Sequence, residues 1–195
     1  MAVTRRPVSE FLEALTDLLA LLEEAGAEVN FYLVGGAALG LGYGARSALT
    51  DIDARMLAPT ASQKLLDETI AKVADKHDFQ SDWISAKASL HFVSDEVDDP
   101  APVTLSESKS GRLVVQVASL DVLVAMKIHA GRPQIDRPDL EWLFSELNIT
   151  TEEEAVERHS WYFPEHVLKP SCLELVRAIL SETQPDVTDL LSGAT

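Results

Sequence analysis

Residues 31–56 read FYLVGGAALGLGYGARSALTDIDARM. Val29 and Phe31–Val34 form an apolar run with the composition of a buried strand, and Gly35-Gly36 ends it. Two glycines at that point let the backbone come close to a ligand. They also present N–H groups at a helix start, which favours a phosphate. Residues 37–43 then suit a short helix, although Gly40 and Gly42 each weaken it by up to about 1 kcal/mol. Glycine there implies close packing or a flexible loop reaching Gly44. A second strand follows and carries Asp51 and Asp53. Residues i and i+2 of a strand share a face, so both carboxylates are expected side by side, with Ile52, Ala54 and Met56 opposite. Two like charges that close cost energy unless a cation lies between them. Carboxylates with phosphate oxygens are the usual ligands of Mg²⁺. The plainer reading makes Gly35-Gly36 an ordinary turn and the aspartates a solvated strand end.

Before this stretch, residues 1–8 carry no pattern and are expected to be loose. Ser9 reads as an N-cap for a helix over about 10–25. Phe11, Leu15, Leu18 and Leu22 recur at helical spacing as a core stripe, and Gly26 is a stop signal. After it, Thr60 and Gln63 read as a capping box for a helix to about 76, faced by Leu66, Ile70 and Val73. Residues 78–93 are short and mixed, with Phe79, Trp83, Ile84, Leu90, Phe92 and Val93 able to form one or two strands or an irregular wall. Asp95, Glu96, Asp98, Asp99 and Pro100 read as an exposed loop. Val103–Glu107 and Arg112–Ala118 make a hairpin turning near Ser110-Gly111.

Ser119 caps the next helix, which closes at Gly131. Lys127 falls inside its apolar stripe of Leu120, Leu123, Val124 and Ile128, and a buried lysine must pair or lose its charge. Either it snorkels or pairs with an internal carboxylate, or it points into an active site. Asp136-Arg137-Pro138-Asp139 reads as N-cap, proline in the first turn and an acid at N3. Thr151 with Glu154 and Ser171 with Glu174 are capping boxes for helices over about 152–160 and 172–182. Trp161, Tyr162 and Phe163 form an aromatic turn between them that packs the helices. The acidic tail after Pro185 is expected to fray.

At 195 residues with 46% hydrophobic content, the chain suits one domain with a helical appendix: a core over 1–118 and a helical region over 119–195 packed on it. No apolar run reaches the roughly 18 residues that span a bilayer. The two N-terminal arginines precede no apolar segment, so no signal peptide is read there. The single cysteine, Cys172, excludes an internal disulfide, fits a cytoplasmic location and reads as a small buried hydrophobe. His129 reads as packing or surface. The net charge of −16 argues against general nucleic-acid binding and allows a basic partner protein.

The apolar strand, Gly35-Gly36, and Asp51-Ile52-Asp53 after a spacer holding Arg46 and Thr50 resemble the signature of the polymerase-β-like nucleotidyltransferases. The run Ala125-Met126-Lys127-Ile128-His129-Ala130-Gly131-Arg132-Pro133, followed by Asp136 and Asp139, is similar to a second signature of the toxin-type AbiEii/MenT-like branch. The resemblance covers about residues 29–147. It implies an α/β (α+β) fold: a small mixed sheet flanked by helices, with a helical C-terminal part. It implies transfer of a nucleoside monophosphate from an NTP to an acceptor hydroxyl, with release of pyrophosphate. Asp51 and Asp53 would hold Mg²⁺ (or Mn²⁺). Gly35, Gly36 and Thr50 would seat the nucleotide, and Arg46, Lys127 and Arg132 would neutralise its phosphates; Arg46 reads equally as a salt bridge to one of the aspartates. Asp139 would orient Lys127 or accept a proton. The branch implies an RNA acceptor such as the 3′ end of tRNA, or a protein, and a cognate antitoxin partner. The departure is the third carboxylate. The strand where it belongs has Gln116, and Glu107 on the preceding strand is the nearest acid. This keeps two other functions open: a non-catalytic nucleotide- or partner-binding module, and an adenylyltransferase acting on a small molecule of antibiotic type.

Overall fold

The computed structural model describes residues 4–57, 60–85 and 99–183. The chain divides into two compact units, Met1–Ser119 and Leu120–Thr195. Among the described residues, the first holds a five-stranded mixed sheet with three helices, and the second holds four helices and no strand.

In the first unit, β1 (Arg6–Pro7) pairs antiparallel with β3 (Ala48–Leu49), and α1 (Val8–Glu24) starts directly after β1. Two expectations are corrected here. Residues 6–8 are built into the structure, and Ser9 lies inside α1, whose N-cap is Pro7. Arg6 explains the early start. Its Nη1 donates to the carbonyls of His77 and Asp78, both at 2.8 Å. Its Nε lies 2.6 Å from Glu10, and its guanidinium covers the Phe79 ring at 4.3 Å. The stripe Phe11, Leu15, Leu18 and Leu22 is buried, as its spacing requires. Each such side chain is worth about 1.5–3 kcal/mol. Gly26, at φ 71°, follows the helix in the left-handed region.

The sheet order is β5 (Ile84–Ser85), β4 (Ile52–Leu57), β2 (Val29–Val34), β7 (Leu113–Val117), β6 (Val103–Glu107). β2 runs antiparallel to β4, with Val34 opposite Asp53, and parallel to β7, with Tyr32 opposite Gln116. The first-strand and hairpin readings therefore hold, and the second strand starts one residue after Asp51. One face of the sheet is apolar and buried: Val29, Phe31, Leu33, Ile52, Ala54, Leu113, Val115 and Val117. Alternation puts Asn30, Tyr32, Asp53, Arg55 and Gln116 on the other face.

α2 (Gly35–Tyr43) begins at the double glycine itself and ends on Gly44 at φ 67°. Its interior glycines serve close packing. A Cβ on Gly42 would stand 2.5 Å from Cγ2 of Val117. α3 (Gln63–His77) is capped by Ser62, whose hydroxyl accepts from the Leu65 N–H. Thr60 is therefore not the cap; its hydroxyl accepts from the Glu28 N–H. Of the mixed segment, Phe79 stacks between Phe11 and Trp83, with ring centroids 4.8 and 5.4 Å away. Leu90, Phe92, Val93, Asp95, Glu96 and Asp98 lie outside the described residues.

In the second unit, α4 (Leu120–Ala130), α5 (Pro133–Glu146), α6 (Glu152–Tyr162) and α7 (Pro170–Thr183) follow in turn. Gly131, at φ 55°, closes α4 with its N–H on the Lys127 carbonyl. A side chain there would collide with the buried Cys172. The capping box of Thr151 and Glu154 is present in full. Three expectations fail. Asp136 is not an N-cap, because α5 starts at Pro133 with Arg132 as its N-cap, so Asp136, Pro138 and Asp139 are all helical. Ser171 lies in the first turn of α7 instead of capping it. Trp161 does not pack the helices: it is 73% exposed, and Phe163 alone of the expected aromatic turn is buried. The tail after Pro185 lies outside the described residues.

Candidate functional site

Asp53 is held within β4, half-buried, and its Oδ2 lies 3.5 Å from where a Cβ on Gly35 would stand. Gly35 has φ 62°, a conformation that glycine adopts at no steric cost. A Cβ on Gly36 would come within 2.6 Å of Nη1 of Arg46. One carboxylate and one guanidinium therefore lie against the two glycines that start α2. Gly35 serves conformation, and a side chain at Gly36 would displace the end of Arg46.

Asp51 departs from expectation. β4 begins at Ile52, whose N–H donates to the Trp83 carbonyl at 2.7 Å, and its ladder with β5 starts at the same residue. Asp51 is left outside the ladder and exposed, with the Thr50 hydroxyl on its Oδ1 at 2.7 Å. Thr50 is thus a partner of Asp51. Both line a cavity of about 420 Å³ whose other walls include Arg6, Asp78, Phe79, Asp82 and Trp83.

Asp99 went unrecognised in the sequence and was expected to be exposed. It is half-buried. Its Oδ2 accepts from the Tyr32 hydroxyl at 2.6 Å and from the Ser119 N–H at 2.9 Å, and its Oδ1 accepts from the Ala101 N–H. Asp99-Pro100 is a turn-initiating pair, which was the available signal. Tyr43 donates to the Ala118 carbonyl at 2.9 Å. Burial, and secondarily the charge of Asp99, push the Tyr43 phenol up. Gln116 accepts from the Asn30 side chain at 2.7 Å. Glu107 is exposed on the edge strand beside Gly111.

The second group of candidates stands in the helical unit and is matched within itself. Lys127, Asp136 and Asp139 are 6%, 0% and 5% exposed. Nζ of Lys127 lies 2.8 Å from Oδ1 of Asp136 and 2.7 Å from Oδ2 of Asp139. Arg132 clamps Asp136 with Nε at 2.8 Å, Nη2 at 3.0 Å and its own N–H at 3.2 Å. Burial raises the Asp136 carboxyl. The hydrogen bonds and charges of Arg132 and Lys127 more than reverse this, holding it below the ordinary carboxylate value. Two cations and two carboxylates cancel. Lys127 therefore follows the plainer of its two readings, pairing with internal carboxylates. Asp136, the weaker candidate of its pair by sequence, is the hub.

Among the described residues, no group of three or more His, Cys, Asp or Glu side chains is placed to hold a metal ion. No helix among them is long and apolar enough to cross a membrane. Compared with protein-family models, curated proteins and solved structures, the chain matches none.

Proposed function

We propose that the protein is a nucleotidyltransferase of the polymerase-β-like class, acting from the Gly35-Gly36 turn with Asp51 and Asp53. The observation that supports this reading is the turn itself. Two glycines, the first in the left-handed region, open a helix with Asp53 and Arg46 set against them. The α2 N–H groups would seat the phosphates, and Arg46 would offset their charge. Asp51 and Asp53 offer hard oxygen donors of the kind Mg²⁺ takes alongside water and phosphate. The ion, when bound, would supply charge neutralisation at the triphosphate. The acceptor oxygen forms a bond to the α-phosphorus, the α–β phosphoanhydride bond breaks and pyrophosphate leaves. The acceptor proton passes to a carboxylate or to solvent. An RNA or protein acceptor and a cognate antitoxin belong to the same proposal.

The test is a transfer assay with Mg²⁺ and each α-labelled NTP, using RNA and protein acceptors in turn. Label transferred by the wild type and lost in Asp53→Ala supports the reading. Equal transfer by Asp53→Ala overturns it. A second reading, a nucleotide-binding module without transfer, is favoured by Gln116. It occupies the strand position of the expected third carboxylate and is committed to Asn30. Nucleotide binding measured by calorimetry without transfer to any acceptor would select it.

A further inference from the structure

Three histidines of the helical unit gather around Phe163, and neither the proposed chemistry nor the sequence patterns use them. His129 is the penultimate residue of α4, His159 lies in the last turn of α6, and His166 lies in the turn leading to α7. Nδ1 of His129 stands 3.1 Å from Nε2 of His159. Phe163 stacks on both, with centroids 4.3 Å from His129 and 5.2 Å from His159. The His166 ring meets His129 edge-on at 5.2 Å.

His159 is 1% exposed, and its Nδ1 is buried without a hydrogen-bond partner. In either tautomeric arrangement one imidazole donates to the other through the 3.1 Å contact, and Nδ1 of His159 stays unsatisfied. A second proton on His159 would create a buried cation with an unmatched N–H, next to a second imidazole.

The surrounding charges offer no relief. α4 presents His129, and the turn presents His166, the two charges that act on His159. α7 presents Cys172, whose Sγ lies 3.9 Å from the His129 carbonyl. Arg158, beside His159 on α6, is paired with Asp121 of α4, and Arg177 of α7 is paired with Glu152 of α6. On α5, Asp136 and Asp139 are held by Lys127. Burial, followed by the charges of His129 and His166, lowers the His159 pKa to about 4.

We propose that His129, His159 and His166 form an acid-sensitive latch holding the end of α6 and the following turn against the end of α4. With His159 neutral, its ring meets His129 through the 3.1 Å contact, both stack on Phe163, and His166 meets His129 and Phe163 edge-on. On acidification, the proton that the closed cluster refuses is taken up by an opened one, and the end of α6 with Trp161 and the turn with Val167 swing free. The latch does not depend on the transfer reaction.

The test is hydrogen–deuterium exchange of the full chain from pH 7.5 to 4.5, corrected for the intrinsic rate. Protection of the α6–α7 amides should fall by about tenfold per pH unit below about 6.5, as uptake of one proton requires. The sheet amides should hold. In His159→Phe, which keeps the stack and removes the titrating group, the fall should vanish. In the exposed-site variant His166→Gln, which removes one of the charges that lower the His159 pKa, the fall should level off at higher pH, so a poorly folding His159→Phe would still leave a decision. An unchanged fall in either variant, flat protection in the wild type, or simultaneous loss across sheet and helices would overturn the latch.

Discussion

The turn at Gly35-Gly36 and the cluster around Lys127 both consist of charged side chains that a functional reading would choose, yet they are built in opposite ways. At the turn, Asp53 and Arg46 lie half-buried against the two glycines, and Asp51 is exposed and lines a cavity. In the cluster, Lys127 and both carboxylates are buried, and with the exposed Arg132 they satisfy each other within 3.2 Å. An exposed carboxylate that lines a cavity, as Asp51 does, stays in contact with solvent. A buried, matched charge is primarily a structural element, because breaking one partner leaves the other uncompensated in a poor solvent. Residue type alone would have ranked the two regions equally.

The contrast can be broken most sharply at Asp53. Asp53→Asn should lower nucleotide transfer by about a hundredfold or more, with little change in the urea midpoint. A variant that loses stability but keeps its specific activity would reverse the assignment. Asp136→Ala should do the opposite and destabilise the protein by about 3–5 kcal/mol, read from the denaturation midpoint. If it unfolds no more easily than wild type, the cluster is not structural.

Acid should separate two titrations in the helical unit. The folded pKa of His159, about 4 against 6.5 for the free side chain, favours the neutral form. Its contribution is therefore complete above pH 6.5 and is lost as pH falls through the window down to 4, by up to about 3 kcal/mol. Asp136 has a depressed pKa, so its contribution is complete above the ordinary aspartate value and goes only at lower pH. Unfolding curves collected between pH 7 and 4 should show the first loss and spare the second.

Gly42→Ala should cost about 1–3 kcal/mol, because Val117 is buried and β-branched and cannot move aside. Gly36→Ala should change stability least, by about 0.5 kcal/mol or less. The atom it meets is the end of a flexible arginine. Its effect should appear as weaker nucleotide binding in calorimetry. Unaltered binding would remove Arg46 from the phosphate site.

Much of the architecture was legible from local pattern. The Phe11–Leu22 stripe, the apolar run ending at Gly35, the hairpin and the Thr151 capping box each record a short-range preference that packing then uses. Helix starts were less legible. Ser9, Thr60, Ser171 and Asp136 all have capping chemistry. Arg6 set an earlier start for α1, while Ser62 and Arg132 took the caps of α3 and α5. Several residues compete for one cap within a few positions, and contacts far away in sequence decide among them.

The sequence by itself determined that a Gly-Gly turn sits between two strands and that an aspartate follows at the start of the second. Period-two alternation and glycine's conformational range are local properties. Only the tertiary structure decided what the charges are for. Strand pairing with Trp83 and Ile84 left Asp51 outside the ladder while keeping Asp53 within it. Helix packing closed Lys127 onto Asp136 and Asp139, and brought His129 and His159, 30 residues apart, within 3.1 Å. The free energy of a charge depends on which groups and how much water surround it, and those neighbours come from across the chain.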